Sequence, residues 1–436
     1  MKDHTVRKHR IIVLGAGYTG AIAAGRLAKR LRREDVDITL VNAESDFVER
    51  VRLHQLAVGQ ELRPRPFAEM FAGTGVELRL GRVTAVDADR KTVTVTVLDG
   101  SGPGNGNGNG GGTAGGTGGH EASAAELPYD TLVYALGSGW NTHGVPGTAE
   151  HAHDITGRPG ALRLRERLAV LGAGSPVVVV GGGLTGVEAA TEIAEARPDL
   201  DVTLAAHGEL GDWLSPKGRL HLRKVAGKLG ITVREHTAVE AVGADHVVTA
   251  DGTAVPAAVT VWTAGFSVHP IAQATTLEVT GDGRIVVDRT LRSVSHPDVY
   301  AIGDAAHGIG PADKPLRMSC ASGVPLAWQA ADTIAARLTG DKLPKPSARY
   351  FNQCISLGRK EGLIQYVTAD DRAVSAALTG RLAAFYKEVV CKSAAWGVAN
   401  PTLGLPSRRR PLVHQTPGAA PAPAAAPQDA LPEAAS

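Results

Sequence analysis

Two glycine-rich turns constrain this sequence more than any other feature. Residues 15–20 read GAGYTG and residues 181–186 read GGGLTG. Each turn follows a short apolar run, at residues 11–14 and 177–180, that predicts a buried strand. After each turn come a predicted helix, at residues 18–33 and 184–196, and a second predicted strand, at residues 37–41 and 201–204. Such alternation is typical of parallel sheets built from βαβ units, so we expect an internally duplicated α/β protein.

The spacing of the glycines points to a ligand. In a Gly-x-Gly-x-x-Gly turn the first glycine permits a tight turn, the second lets the backbone approach a pyrophosphate, and the third lets helix and strand pack closely. The N-terminus of the following helix favours the negative charge. Because this chain carries the pattern twice, it is predicted to hold two dinucleotides that exchange electrons, one bound tightly and one exchangeable.

Composition argues against several other classes of protein. The 436 residues predict two or three domains. Lys and Arg number 46 and Asp and Glu 44, a balance that argues against nucleic acid as the main partner. The three cysteines form no CxxC pair and the N-terminus carries no signal-peptide pattern, so we expect a cytoplasmic protein. Residues 168–187 are uncharged over the length of a membrane span, but Pro176 and three consecutive glycines favour a buried strand and turn. No metal site is predicted.

Three further strings complete a pattern: YDTLVYALGS at residues 129–138, VWTAG at 261–265 and YAIGDAA at 300–306. With the two glycine turns, in this order, the chain resembles the two-dinucleotide-binding-domain flavoproteins, the FAD- and NAD(P)-dependent pyridine nucleotide oxidoreductases, over about residues 10–340. The resemblance implies a pyridine nucleotide-disulfide reductase-like fold with two Rossmann-like domains. FAD would be bound by residues 10–145 and 275–345, and NAD(P)H by residues 146–274.

The rest of the chain is assigned by composition. Residues 346–412 are predicted to form a small C-terminal domain. The glycine-rich residues 100–119 predict a disordered loop between strands at residues 92–98 and 131–135. The Ala- and Pro-rich residues 416–436 predict a disordered tail.

Within that family the chain is most similar to type II NADH dehydrogenases and apoptosis-inducing-factor-like oxidoreductases, through FVERVRLHQ at residues 47–55 and WTAG at 262–265. The resemblance implies that the first turn and the Gly-Asp pair of YAIGDAA hold FAD, that the second turn holds NAD(P)H, and that Glu188 orients the nicotinamide. A carboxylate in the first turn of a helix also has a simple electrostatic explanation, in the helix dipole. The candidate cofactor-binding residues are Gly15, Ala16, Gly17, Tyr18, Thr19, Gly20, Asn42, Glu44, Arg52, His54, Val83, Gly137, Gly181, Gly183, Gly186, Gly265, Gly303, Asp304, Cys320 and Ala321.

The acceptor is less constrained. Disulfide reductases of this fold carry a redox cysteine pair beside the flavin, and this sequence has none, so electrons are expected to leave for a quinone, a redox protein, a small oxidant or oxygen. Quinone-reducing relatives carry Ala-Gln where this sequence has Ala321 and Ser322. Cys320 is expected to be a small packing residue near the flavin, the alternative being a reactive thiol. We therefore expect an NAD(P)H oxidoreductase, possible acceptors being a quinone or a small redox protein. The alternative from another class is a flavin-based redox sensor or scaffold with slow turnover.

The nicotinamide preference is open. A ribose-binding acid is expected about 20 residues beyond each glycine turn. In the first unit this position holds Asn42, with Glu44 nearby, whereas in the second it holds Ala206. His207 would suit a 2′-phosphate or would be an ordinary surface histidine.

Residues 381–396 predict an amphipathic helix. Its apolar stripe is formed by Leu382, Phe385, Tyr386, Val389, Val390 and Trp396. We expect this stripe to pack on the protein's own core or on the partner in a homodimer. The alternative is peripheral contact with the inner face of a membrane, which the basic residues 408–410 would favour.

Overall fold

The computed structural model describes residues 7–97, 124–346, 348–402 and 409–413, so the predicted loop at 100–119 and tail at 416–436 lie outside the described residues. The first elements are β1 (His9–Leu14), α1 (Tyr18–Arg30), β2 (Val36–Asn42), α2 (Leu53–Ala57), α3 (Phe67–Met70), β3 (Val76–Asp87), β4 (Thr92–Val97), β5 (Ala124–Pro128), β6 (Thr131–Tyr134) and β7 (Ser138–Trp140). Next come α4 (Thr148–His151), β8 (Ala152–His153), α5 (Arg158–Ala169), β9 (Pro176–Val180), α6 (Leu184–Ala196), β10 (Asp201–Ala205), α7 (Pro216–Lys228), β11 (Thr232–Arg234), β12 (Val239–Val242), β13 (His246–Thr249), β14 (Ala254–Pro256), β15 (Val259–Trp262) and β16 (Phe266–Val268). The last are β17 (Ile285–Val286), β18 (Val299–Ala301), β19 (Ala306–His307), α8 (Cys320–Thr339), β20 (Asn352–Ser356), β21 (Gly362–Val367), β22 (Ala373–Thr379) and α9 (Arg381–Ala399).

The two main sheets repeat one design. The first has the strand order β18-β6-β1-β2-β3-β4-β5, and the second β11-β10-β9-β15-β8. In each, the strand before the glycine turn, β1 or β9, lies between two parallel neighbours. This confirms the predicted α/β class with two Rossmann-like units. The domain boundaries inferred from sequence stay a proposal, which the grouping of strands supports.

Valines on both faces of β9 explain why its sequence is continuously apolar. Val177 and Val179 pack in one core with Ile193 of α6, whereas Val178 and Val180 pack in another with Trp262. Burial of each such side chain stabilises the fold by about 1.5–3 kcal/mol. The uncharged residues 168–187 therefore divide into the end of α5, β9, the second glycine turn and the start of α6. Within the described residues, no helix is long and apolar enough to cross a membrane.

Some predicted boundaries shift. Helix α1 ends at Arg30, three residues before the predicted end, because Leu31 has an extended backbone and pairs with Arg410. Strand β4 ends at Val97, and Leu98 lies outside the described residues. The predicted strand at residues 131–135 ends at Tyr134.

The C-terminal part consists of an antiparallel sheet, β20-β21-β22, followed by α9. The inward face of α9 carries small or short residues, Ala383, Cys391, Ala395 and Val398. Among the described residues, the apolar stripe does not pack on the protein's own core, so this part of the prediction is not confirmed. Leu382 is 70% exposed, Phe385 69% and Trp396 55%.

Candidate functional site

Both glycine turns line one large cavity. It lies at the carboxyl ends of β1 and β9, where α/β sheets bind their ligands. Its volume is about 1300 Å³, larger than the roughly 300–1,000 Å³ typical of a site for one small molecule. The space is therefore consistent with two ligands that meet in one cavity.

In the first turn, packing requires glycine at positions 15 and 20 but not at the middle position, Gly17. A Cβ on Gly15, whose φ is +88°, would lie 2.5 Å from the carbonyl oxygen of Ala135. A Cβ on Gly20 would lie 1.8 Å from the carbonyl oxygen of Gly15. A Cβ on Gly17 would meet no atom within 4 Å, although Gly17 lines the cavity. The missing side chain at Gly17 thus leaves bare backbone for a ligand.

The second turn repeats this arrangement. A Cβ on Gly181 would lie 2.7 Å from Oγ1 of Thr263, and one on Gly186 would lie 1.8 Å from the carbonyl oxygen of Gly181. Again the middle position, Gly183, has nothing within 4 Å of an added Cβ. Helices α1 and α6 begin directly after Gly17 and Gly183, so each open glycine lies at a helix N-terminus. Both turns fit a pyrophosphate.

The Gly-Asp pair lies beside the first turn. Ser138 Oγ donates a hydrogen bond of 2.6 Å to Oδ2 of Asp304, which joins the string at residues 129–138 to the one at 300–306. Asn42 accepts a 2.9 Å hydrogen bond from the N–H of Ala16 and donates one to the carbonyl of Glu44. Because the amide of Asn42 is engaged with the protein, Glu44 is the better candidate to bind a ribose hydroxyl.

A buried polar cluster of Glu188, Lys387 and His54 forms part of the cavity wall. Lys387 Nζ donates to Oε1 of Glu188 over 2.9 Å, and the N–H of Ser356 donates to the same oxygen over 3.0 Å. Burial raises the pKa of Glu188, but the neighbouring Lys387 ammonium group outweighs it and lowers the pKa overall. Burial lowers the pKa of Lys387, but Glu188 outweighs it and raises the pKa overall. The two therefore remain an ion pair.

His54 lies next to this ion pair but is itself uncharged. Its Nδ1 is 3.9 Å from Oε2 of Glu188. Burial lowers the pKa of His54 to about 4, so its imidazole is neutral near pH 7.

The three cysteines converge on the cavity although they are far apart in sequence. Cys320 begins α8, Cys354 lies on β20 and Cys391 on α9. All three are free thiols, and burial raises their pKa values, that of Cys354 to about 11. They are therefore protonated and weakly nucleophilic near pH 7. Cys320, expected to be a small packing residue near the flavin, lines the cavity at the start of α8.

Most predicted site residues are brought together. The cavity is lined by Gly15, Ala16, Gly17, Tyr18, Thr19, Asn42, Glu44, His54, Gly137, Gly181, Gly183, Glu188, Gly265, Gly303, Asp304, Cys320 and Ala321.

Four predicted residues do not line it. Gly20 and Gly186 pack against their own turns. Val83 is buried in the core on β3. Arg52 is buried and forms ion pairs with Glu49, at 3.2 Å, and Glu388, at 3.0 Å, so it links α9 to the segment before α2.

Sequence reasoning missed the contribution of α9. Lys387, Val390, Cys391 and Ala394 line the cavity. Their spacing places them on one helix face, which meets the apolar stripe at Val390. The sequence feature that could have indicated this contribution is a lysine at the border of an otherwise apolar helix face.

The chain is similar to known proteins over most of its length. The family described as pyridine nucleotide-disulphide oxidoreductase matches residues 9–332. An NADH dehydrogenase-like protein of Mycobacterium tuberculosis is 28% identical over 370 residues, which are 80% of this chain and 86% of the relative. A type II NADH:quinone oxidoreductase of the same organism is 27% identical over 345 residues, 69% of this chain and 67% of the relative.

Among solved structures, NDH2 from Plasmodium falciparum in complex with NADH has a TM-score of 0.73 at 15% identity. The match covers 91% of this chain and 97% of that one. At this identity the similarity supports the fold alone.

Proposed function

This chain belongs to the pyridine nucleotide-disulphide oxidoreductase family and is an FAD-dependent NAD(P)H oxidoreductase, and we propose that its electron acceptor is a quinone. A relative named as a type II NADH:quinone oxidoreductase supports this choice. The structural observation that carries it is the placement of α9, which borders both the cavity and an exposed apolar surface.

The first turn, with Glu44, Gly303 and Asp304, would hold FAD, and the second turn would hold NAD(P)H. When bound, FAD accepts a hydride from NAD(P)H and passes two electrons to the acceptor. The open backbone at Gly17 and Gly183 binds the pyrophosphates and thereby fixes the position of each cofactor.

The acceptor would bind where α9 meets the cavity. Cys391 and Ala394 give this wall a largely apolar lining, and Lys387 supplies one ammonium group, which is paired with Glu188. Val390 both lines the cavity and is 39% exposed, so the wall continues into the stripe on the outer surface. A quinone is an apolar ring whose oxygens gain negative charge on reduction, so it matches an apolar wall that carries an ammonium group. Lys387 is already protonated and can stabilise that negative charge directly.

The stripe suggests where such an acceptor comes from. Phe385 and its apolar neighbours on α9 are exposed on this chain. We propose that they rest on a lipid surface, from which a quinone reaches the cavity past Val390. A second copy of the chain is the competing occupant of the same surface.

Stopped-flow mixing of the purified flavoprotein with NADH, and then with a quinone, tests the acceptor. We expect rapid reduction of the flavin and rapid reoxidation by the quinone. Reoxidation by a small redox protein but not by any quinone in a panel would favour the protein reductase. A reduced flavin that persists in air with quinone present would favour the sensor.

A further inference from the structure

The second unit lacks an acid where a dinucleotide fold usually binds the adenosine ribose. An acid at the end of the second strand binds a free 2′-hydroxyl, whereas an arginine nearby accommodates a 2′-phosphate. Here Ala206 follows β10 and is 2% exposed. A Cβ on Gly182 would lie 2.7 Å from the Cβ of Ala206, so this position directly contacts the second glycine turn. The methyl group of Ala206 therefore occupies the position from which a carboxylate would bind the ribose.

Two acids near this position are paired with arginines, whereas Asp212, whose Oδ2 would lie 3.3 Å from a Cβ on Gly208, has no side-chain partner among the described residues. Glu209 accepts a 2.9 Å hydrogen bond from Arg219. Glu235 is paired with Arg223 and also accepts a hydrogen bond from the N–H of Leu210. The arginine partners of Glu209 and Glu235 already balance the charges of these two carboxylates.

Two basic side chains remain at this edge. His207 lines the cavity and is exposed. Arg234 is the strand partner of Ala205, which also lines the cavity, so the two side chains lie on the same face of the sheet. In the part of the chain that the structure describes, neither basic side chain has a hydrogen bond or ion pair, and both are available to a ligand.

The two units of this chain thus differ in charge at equivalent places. Beyond the first turn the cavity is lined by Glu44, whose carboxylate suits a ribose with free hydroxyls, and by Asn42, whose amide is bonded to the protein. Beyond the second turn the cavity is lined by His207, and Arg234 lies outside this lining, on the sheet face that it shares with Ala205. An arginine and an imidazole suit a phosphate.

We propose that the second unit binds NADPH, with its 2′-phosphate held by His207 and Arg234. The inference rests on the proposed function, since it assumes that the nicotinamide dinucleotide occupies the second turn. The second unit would therefore prefer a dinucleotide with a 2′-phosphate, whereas the first unit, which carries Glu44, would not.

Calorimetric titration of the FAD-loaded protein with two probes tests this directly. Adenosine 2′,5′-bisphosphate and adenosine 5′-monophosphate differ only in the 2′-phosphate. We expect the bisphosphate to bind at least about tenfold more tightly, because hydrogen bonds to charged groups are stronger than neutral ones. The preference should shrink as ionic strength rises.

The Arg234→Glu and His207→Asp variants should lose this preference and keep their affinity for the monophosphate. Lys224→Glu is the matched control, because Lys224 is exposed on α7 in the same unit and does not line the cavity. It should keep the preference.

Equal binding of the two probes by the wild-type protein would overturn the inference, as would an unchanged preference in Arg234→Glu. These outcomes are distinct from failure of the proposed function. A protein that binds both probes equally, yet is reduced by NADH and reoxidised by quinone, refutes only the 2′-phosphate site. A protein whose flavin neither nicotinamide reduces refutes the proposed function.

Discussion

Lys387 of α9 and Glu188 of α6 form a buried ion pair, with 2.9 Å between Nζ and Oε1, that connects the C-terminal helix to the helix of the second glycine turn. Lys387 Nζ also donates to the carbonyl oxygen of Cys354 on β20, over 2.9 Å. One ammonium group therefore holds three elements at the wall of the cavity. Because each charge is buried, each depends on the other for compensation.

We predict that Lys387→Met destabilises the protein by about 3–5 kcal/mol, since it leaves the Glu188 carboxylate buried without its partner. Urea unfolding measures this. Lys392→Met is the control, because Lys392 is 72% exposed and its 3.3 Å ion pair with Glu388 should be worth only about 0–1 kcal/mol. The double variant Lys387→Met/Glu188→Gln should recover part of the loss. If Lys387→Met costs no more than Lys392→Met, the pair does not stabilise the fold.

We predict that Gly17→Val and Gly183→Val separate the two cofactors. Neither added Cβ meets a protein atom within 4 Å, so both variants should fold, as circular dichroism would show. Gly17→Val should purify without the yellow colour of bound flavin, because its side chain occupies the space beside the first turn. Gly183→Val should stay yellow and be reduced slowly by NAD(P)H.

The control for these variants is Gly20→Val, whose Cβ would lie 1.8 Å from the carbonyl oxygen of Gly15 and should disrupt folding. A colourless Gly183→Val beside a yellow Gly17→Val would reverse the assignment of the turns.

The fold could be predicted from local patterns. The four valines of β9 and the spacing of Gly15, Gly17 and Gly20 each specify a structure within a few neighbouring residues. Helix α1 shows the limit of this reasoning, since it ends early at a contact between Leu31 and Arg410, which lie far apart in the sequence.

The acceptor side of the site could not be predicted in this way. Glu188, Cys354 and Lys387 lie on three different elements, and only tertiary packing brings them together. Helical periodicity placed Lys387 beside the apolar stripe but did not show which face of α9 turns inward. The inward face is lined with small residues, so hydrophobicity alone selected the face that is exposed.

We predict that Glu192 makes the stability of the protein depend on pH. Glu192 is 1% exposed on α6, and its Oε2 has no partner among the described residues. Burial raises its pKa from 4.5 to about 7, although Arg359 and Gln60 oppose the shift. Because the folded state favours the protonated carboxyl, this contribution to stability is full below about pH 4.5 and is lost as the pH rises to about 7.

The Glu192→Gln variant mimics the protonated carboxyl. Above about pH 7 it should be more stable than the wild type, by up to about 3 kcal/mol, and near pH 4.5 the difference should disappear. Urea unfolding at about pH 5 and pH 8 measures this change. Glu240→Gln, at an exposed position on β12, should show no such dependence. A constant difference between Glu192→Gln and the wild type across this range would show that Glu192 does not titrate there.

We predict that Phe385→Asp weakens binding to lipid vesicles without affecting the redox centre. Phe385 is 69% exposed on the apolar stripe of α9, so its replacement should leave the fold intact. Loss of one such side chain from a lipid interface should lower the partition constant about tenfold or more. Co-sedimentation with vesicles measures this, and NADH oxidation by ferricyanide should be unchanged.

Leu220→Asp is the matched control for this variant, because Leu220 is 72% exposed on α7, outside the stripe and the cavity. Leu220→Asp should bind vesicles as the wild type does and should reduce a long-chain quinone in vesicles at the wild-type rate. Phe385→Asp should lose activity toward the long-chain quinone and keep activity toward a short-chain quinone. If the wild type does not sediment with vesicles but elutes as a dimer that Phe385→Asp converts to a monomer, a second copy of the chain covers this face instead.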